Sequence, residues 1–388
     1  MIKILFTGGG TGGHIYPILA ITEEFQSSND QISLKLRYLG APGPYKNLLE
    51  SYGIKVSKIL SAKLRRYFDL RNFIEIPFFL PLSIIQALWK VFWFMPDVLF
   101  SKGGPASLPV VLACRFYRIP VIIHDSDSSM GLANRLALGF ANKIALSFET
   151  AINDLIENYP KKKNKLVSKI IMTGNPVRRS LISVENFEIE AAKRILNIKS
   201  DKPVILVIGG SQGAMKINNF MMEIIEELIK NFQVLHQTGI KNFEEIKKEI
   251  DIILKNYSEE EKKNYQIFPY FEDNLRNAYL VSDIVICRAS GGTIFENAAF
   301  GKPSILIPLS ADVVGKHQIG NAYEYAHSGA GIVIEEPNLE PNLFLTQLKN
   351  IFSAPEKLKQ MSEAAKKFAK PGAARALAQE ILNLGSRG

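Results

Sequence analysis

Four stretches of glycine and small hydroxyl residues carry the chemistry legible in this sequence. The first is Thr7-Gly8-Gly9-Gly10-Thr11-Gly12-Gly13-His14. Glycines let backbone N–H groups approach a phosphate or a sugar closely, and a helix opening there adds a field that favours negative charge. His14 falls in the first turn of that helix. Histidine titrates near neutral pH, so His14 is either a proton acceptor or a polar lining residue. The second stretch, Gly209 to Ala214, repeats the device and adds the hydroxyl of Ser211. The third runs from Arg288 to Glu296, with Ser290, Gly291, Gly292 and Thr293 opening a helix. Glu296, one turn in, can accept two hydrogen bonds from a ribose diol or act as a favourable first-turn acid. Lys102-Gly103-Gly104-Pro105 is the fourth.

Two familiar readings of such loops fail. Gly8, Gly10 and Gly13 fit the GxGxxG spacing of a dinucleotide site. That site needs an acid at the end of the second strand, and Arg37-Tyr38-Leu39-Gly40 offers none. No Gly-Lys-Ser/Thr follows any of the loops, so a P-loop is excluded. Asp125-Ser126-Asp127 spells DxD, and carboxylates can bind magnesium or manganese. The pattern is short and common, and no metal is assigned to it. Cys114 and Cys287 stand among apolar residues without CxxC or Cys/His spacing, which reads as two buried thiols.

These loops need strands and helices to hold them. Ile2–Thr7, Asp97–Ser101, Pro120–His124 and Lys143–Ser147 are short apolar runs separated by helical stretches such as Ile15–Phe25 and Ala106–Tyr117. Such runs indicate parallel strands buried on both faces. The pattern restarts at Val204–Ile208 and continues with Phe232–His236, Asp283–Cys287 and Ser304–Pro308. The reading is an α/β protein of two similar parallel-sheet domains, divided near Gly174–Arg179, where Asn175-Pro176 breaks the chain. The expected bounds are 1–175, 176–355, and 356–388 as terminal helices packing back on the first domain.

The chain has 388 residues, 47% hydrophobic and 22% charged, which suits two globular domains. Its net charge of +9 favours anionic partners. No basic motif interleaved with aromatics supports nucleic acid. Met1-Ile-Lys-Ile-Leu-Phe-Thr7 has no signal-peptide design, so a cytosolic setting or the cytoplasmic face of a membrane is expected. Ile76–Trp89 is an uncharged stretch of 14 residues, interrupted by Pro77 and Pro81. As a helix it would reach roughly 21 Å, short of the roughly 30 Å hydrocarbon core, so it is not read as a span.

In order along the chain stand GGGTGGHIYPILAI, GGPASLP, IPVIIHDSD, GNPVRRS, GGSQGA, RASGGTIFENAAFGKPSILIP and HQIGNA. This set resembles the family of N-acetylglucosaminyltransferases that convert lipid I to lipid II in peptidoglycan (cell-wall) synthesis. The resemblance covers nearly the whole chain. It implies a glycosyltransferase-B fold, two Rossmann-like domains with the active cleft between them, and no cofactor. It implies inverting transfer from UDP-GlcNAc to the muramyl C4 hydroxyl of a polyprenyl-diphosphate acceptor, by a peripheral protein of the cell membrane. Carried over by motif, Thr11, Gly12 and Gly13 border the donor sugar and diphosphate. Arg178 and Ser211 meet the diphosphate, and the backbone at Phe271-Glu272 faces uracil. Gly291, Gly292, Thr293, Ile294, Phe295 and Glu296 run along the nucleotide, and Gln318 meets the sugar. Gly103 and Gly104 form an acceptor loop. The base is His14 or Asp125.

The sequence departs from the family in three places. His124-Asp125-Ser126-Asp127 replaces the usual His-Glu-Gln-Asn, so a donor contact by Asp127 puts a carboxylate beside a diphosphate. That arrangement calls for a basic neighbour or a shared proton. Ser290-Gly291-Gly292 replaces a more alanine-rich loop, and Leu309–Lys316 is an unusual approach to His317-Gln318. For a lipid acceptor, Phe73, Phe78, Phe79, Leu82, Trp89 and Trp93 beside Lys63, Arg65, Arg66 and Arg71 form a candidate face for an anionic bilayer, the alternative being a buried core helix. A transferase on another acceptor, a UDP-GlcNAc 2-epimerase and a non-catalytic nucleotide binder are the rival functions.

Overall fold

The computed structural model describes residues 1–27, 33–61, 78–182, 188–199, 201–210, 213–271, 274–310 and 317–386. Among them the strands form two parallel sheets. The first holds β1 (Ile2–Thr7), β2 (Leu34–Gly40), β3 (Lys55–Lys58), β4 (Val98–Ser101), β5 (Val121–Asp125), β6 (Lys143–Leu146) and β7 (Ile170–Met172), in the order 3-2-1-4-5-6-7. The second holds β8 (Val204–Ile208), β9 (Gln233–Gln237), β10 (Tyr265–Phe268), β11 (Ile284–Cys287), β12 (Ser304–Leu306) and β13 (Gly331–Val333), in the order 10-9-8-11-12-13.

Both orders reverse direction once, between β1 and β4 and between β8 and β11. Ligands of open α/β sheets bind at the carboxyl ends of strands flanking such a reversal. The loops after β1 and β4 are Gly8–Thr11 and Lys102–Ala106. Those after β8 and β11 begin at Gly209 and Arg288. The four glycine loops read from the sequence therefore fall at the two switch points.

The chain divides into two compact units, Met1–Ser180 with Lys370–Gly388, and Leu181–Ala369. The first division comes five residues after the expected one at 175, because Pro176–Ser180 stays with the first unit: Ser180 donates from its backbone N–H and its hydroxyl to Glu23, at 3.0 and 2.6 Å. The terminal segment is also divided. Helix Pro355–Phe368 packs in the second unit, against helix Gly291–Ala299, with Phe368 beside Phe295 at 5.4 Å between ring centres. Only helix Ala373–Gly385 returns to the first, where Leu377, Ala378 and Ile381 join the core on β1. Each unit has its own apolar core, and Ile4, Phe6, Val98 and Phe100 in one match Ile205, Val207, Ile284 and Ile286 in the other as wholly buried strand residues.

Most of the stretch that Pro77 and Pro81 interrupt in the sequence lies in a regular helix, Leu80–Phe94. Pro81 sits in its first turn, where a missing N–H breaks no helical bond. Pro77 lies outside the described residues.

Candidate active site

In the first unit, β1 delivers Thr7, and the chain turns through three glycines into helix Gly12–Ser27. Thr11 and Gly13 are exposed and Gly12 is buried. His14 is half-buried, with Nδ1 2.8 Å from the Thr11 hydroxyl. Its other nitrogen faces Gly104. Gly104 has φ +90°, and a Cβ there would stand 2.8 Å from the backbone N of Gly9 and 3.4 Å from His14 Nε2. Glycine is thus required at 104 for both conformation and space. Gly103 packs in the same way on Asn134. Burial, and then the charge of Lys102, lower the His14 pKa to about 4, so the imidazole is neutral at physiological pH.

Asp125 ends β5 and is nearly wholly buried. Its Oδ1 accepts the Asp127 N–H at 3.1 Å, and its Oδ2 accepts the Gly131 N–H at 2.9 Å and Asn134 Nδ2 at 3.0 Å. Its carboxylate is committed to holding the 125–134 loop. Burial, reinforced by Asp127, raises its pKa. His124 is buried beneath, with Nε2 3.2 Å from the Gly174 carbonyl. Among the described residues no group of three or more His, Cys, Asp and Glu could hold a metal, so the DxD spelling gathers no further ligand. Arg178 belongs to the first unit and lies 4.4 Å over the Tyr16 ring, on the same helix as His14.

The second unit holds a cavity of about 420 Å³ at its switch point, within the range of small-molecule sites. Gly209, Gly210, Gly213, Ser290, Thr293 and Gln318 line it. Gly213 has φ +76°, and a Cβ there would collide with the Thr238 carbonyl at 2.2 Å. Ser290 caps helix Gly291–Ala299 by accepting the Thr293 N–H at 3.3 Å. Gln318 Oε1 accepts the Leu309 N–H at 3.0 Å. Glu296 is half-buried, with the Tyr279 hydroxyl donating to it at 3.4 Å.

The side chains of Ile294 and Phe295 are turned into the core, so what this part of the helix presents outward is Thr293 and Glu296. The backbone of Phe271 is also occupied within the unit. Its N–H donates to Gln237 Oε1 at 3.1 Å and its carbonyl accepts the Asn274 N–H at 2.6 Å. Ser211 and Glu272 lie outside the described residues.

Three charged residues of this cavity were not singled out from the sequence. Arg288 Nη2 lies 2.6 Å from Glu336 Oε1, with both side chains buried, and Lys216 Nζ reaches Glu336 Oε2 at 3.0 Å. Arg288 Nη1 also donates to the Ile307 and Pro308 carbonyls. Burial opposes ionisation of Glu336, but the hydrogen bonds from Lys216 and Arg288 prevail and hold its pKa below the ordinary range.

On helix Leu80–Phe94, Ser83, Ala87, Val91 and Phe94 turn inward. Phe78, Phe79, Leu82, Ile85, Trp89, Phe92 and Trp93 are exposed, with Trp89 and Trp93 in edge contact at 5.7 Å. Phe73 and the basic Lys63, Arg65, Arg66 and Arg71 lie outside the described residues. No helix among the described residues is long and apolar enough to cross a membrane.

Comparison with known proteins gives consistent results. Residues 4–146 match the glycosyltransferase family 28 N-terminal domain and residues 204–377 its C-terminal domain. A UDP-N-acetylglucosamine–N-acetylmuramyl-(pentapeptide) pyrophosphoryl-undecaprenol N-acetylglucosamine transferase of Clostridium tetani is 35% identical over 366 residues, 94% of each chain. The crystal structure of Acinetobacter baumannii MurG superposes with a TM-score of 0.71 at 24% identity, covering 99% of this chain and all of that one. A Neisseria meningitidis UDP-GlcNAc 2-epimerase bound to UDP-GlcNAc reaches 0.68 at 16% identity, covering 98% of this chain and all of that one. At these identities the two structures establish the glycosyltransferase-B fold alone.

Proposed function

The chain belongs to glycosyltransferase family 28 and, within it, to the N-acetylglucosaminyltransferases that form lipid II, and we infer that it transfers N-acetylglucosamine from UDP-GlcNAc to the C4 hydroxyl of undecaprenyl-diphospho-N-acetylmuramoyl-pentapeptide. The products are lipid II and UDP, in peptidoglycan synthesis. In this inverting reaction the acceptor oxygen bonds to the anomeric carbon as the bond to UDP breaks. The hydroxyl proton passes to a base, and the departing diphosphate must be stabilised.

His14 is the base in this reading, and its environment is the observation that supports it. The imidazole is neutral, its Nδ1 is engaged by Thr11, and its Nε2 stands beside the glycines proposed as the acceptor loop. Asp125 then positions the 125–134 loop, since its oxygens already accept three hydrogen bonds. The donor's UDP moiety is assigned to the cavity of the second unit, with Glu296 on the ribose and Gln318 on the sugar. Arg288, Lys216 and the start of helix Gly291–Ala299 supply positive field for the diphosphate. Thr11, Gly12, Gly13, Asp127 and Arg178 are proposed to complete the donor's surroundings. The aromatic face of helix Leu80–Phe94 supports peripheral attachment to an anionic bilayer, where the acceptor resides.

One assay tests the activity. Purified protein receives UDP-GlcNAc, UDP-glucose or UDP-GalNAc, with and without a short-chain lipid I analogue. UDP release is expected with UDP-GlcNAc and the analogue together. Epimerised sugar formed without the analogue would replace this reading with the isomerase one.

A further inference from the structure

Lys102 follows β4, and its side chain is turned inward, 4% exposed. Nζ donates to the Ser126 hydroxyl, and Ser126 donates in turn to Asn175 Oδ1 at 2.5 Å. One hydrogen-bonded line therefore joins the segments that follow β4, β5 and β7. Ser126 stands between Asp125 and Asp127, and both carboxylates act electrostatically on the ammonium. Removing such charges from water is costly unless an opposite charge accompanies them. Among the described residues the ammonium also acts on His14 and His124, and its charge disfavours protonation of both. Burial lowers Lys102 to about 8, against the pull of Asp125 and Asp127, so the cation persists at neutral pH.

We propose that Lys102 is a positioning residue for the transfer: its ammonium balances Asp125 and Asp127 and, through Ser126 and Asn175, fixes their loop beside His14. The inference rests on reading the surroundings of His14 as the reaction site. It also accounts for a carboxylate at position 127 in a protein whose substrates are both diphosphates. With an amide at 127, much of the need for the cation disappears. Lys102 further helps to keep His14 in the neutral form that a base requires.

The test is a four-member cycle of the full chain: wild type, Lys102→Met, Asp127→Asn and the double variant. Lys102→Met is expected to lower kcat/KM at least tenfold. Adding Asp127→Asn should recover most of that loss, which no purely packing role of Lys102 would produce. Wild-type activity should fall above about pH 8 as Lys102 gives up its proton, and the double variant should lack that alkaline limb. The same four proteins read by thermal unfolding need no substrate. Lys102→Met should lower Tm, and Asp127→Asn should restore part of it. The proposal is overturned if Lys102→Met matches wild type in both kcat/KM and Tm, or if the double variant is no better than Lys102→Met in either. Coupling in Tm without any transfer activity in the wild type would sink the assigned reaction and leave the charge balance standing.

Discussion

The Thr11 hydroxyl and His14 Nδ1 lie 2.8 Å apart across the first turn of helix Gly12–Ser27. In the tautomer in which Nδ1–H donates to the Thr11 hydroxyl, Nε2 is the unprotonated nitrogen and can take a proton. His14→Asn should lower kcat by roughly 100- to 10,000-fold, the usual contribution of a general base, with little change in either KM. Thr11→Val should cost less, on the order of tenfold, because it frees the ring without removing it. Steady-state UDP release measures both. An active His14→Asn protein with wild-type kcat would eliminate His14 as the base.

The low pKa of His14 has two consequences for pH. Since the ring is neutral down to about pH 4, the acid limb it imposes on kcat/KM lies near 4 and not near its ordinary 6.5. Stability moves separately. His14 at about 4 and His236 at about 3 take up protons more readily in the unfolded chain. The folded state therefore loses stability as pH falls below about 6.5, and these contributions level off only below the folded values. Melting temperature measured from pH 7 to 4 should decline, and His14→Asn should decline less steeply.

Much of this site is written locally. Strands buried on both faces must be apolar runs, which is why β1, β5 and β8 stand out. Edge strands carry a weaker signal: Lys55–Lys58 is KVSK, with Val56 its one apolar residue, and is silent by composition. The glycine loops are legible because close backbone approach needs glycine whatever the tertiary setting. The partners of Lys102 and Glu336 are not, since each meaning depends on a residue far along the chain. Helical period also separates the two faces of helix Gly291–Ala299. Ile294, Phe295, Asn297 and Ala298 form the buried stripe, leaving Thr293 and Glu296 on the other face.

Two glycines separate loop function from loop folding. A Cβ at Gly13 or Gly292 would meet nothing within 4 Å, and neither residue has positive φ. Alanine is the better helix former, by up to about 1 kcal/mol in a helix interior. Gly13→Ala and Gly292→Ala should therefore leave Tm unchanged or raised, while raising the KM for UDP-GlcNAc if these helix starts receive the donor. Gly104→Ala, by contrast, should lower both Tm and kcat, because its Cβ meets the Gly9 backbone. Equal donor KM in the first two variants and wild type would remove these glycines from the donor's surroundings.

Glu336 is held by two cations, and the Arg288 pair is the buried one. Removing one member of a buried pair strands the other, at a cost on the order of 3 kcal/mol. Glu336→Gln should lower unfolding free energy by about that amount in urea, with m unchanged. Because the folded pKa of Glu336 is depressed, its contribution is present above the ordinary carboxylate pKa and is lost as pH falls through the lowered value. The gap between wild type and Glu336→Gln should shrink on acidification. A gap independent of pH would mean that ionisation of Glu336 contributes nothing.

The aromatic face of helix Leu80–Phe94 makes the membrane reading testable without touching the fold. Its inward face, Ser83, Ala87 and Val91, attaches the helix to the first unit beside helix Ser107–Phe116. Trp89 and Trp93, 64% and 67% exposed, contribute little to that packing. Tryptophan suits the boundary between headgroups and acyl chains, where its ring is apolar and its N–H stays wet. Trp89→Ser with Trp93→Ser should leave Tm within a degree or two and abolish flotation with vesicles containing phosphatidylglycerol. Turnover of a short-chain acceptor in detergent should be nearly unchanged, whereas turnover of a full-length acceptor embedded in vesicles should fall at least tenfold. Undiminished flotation of the double variant would remove this face from membrane contact. A shift from dimer to monomer on sedimentation would reassign it to contact between copies of the chain.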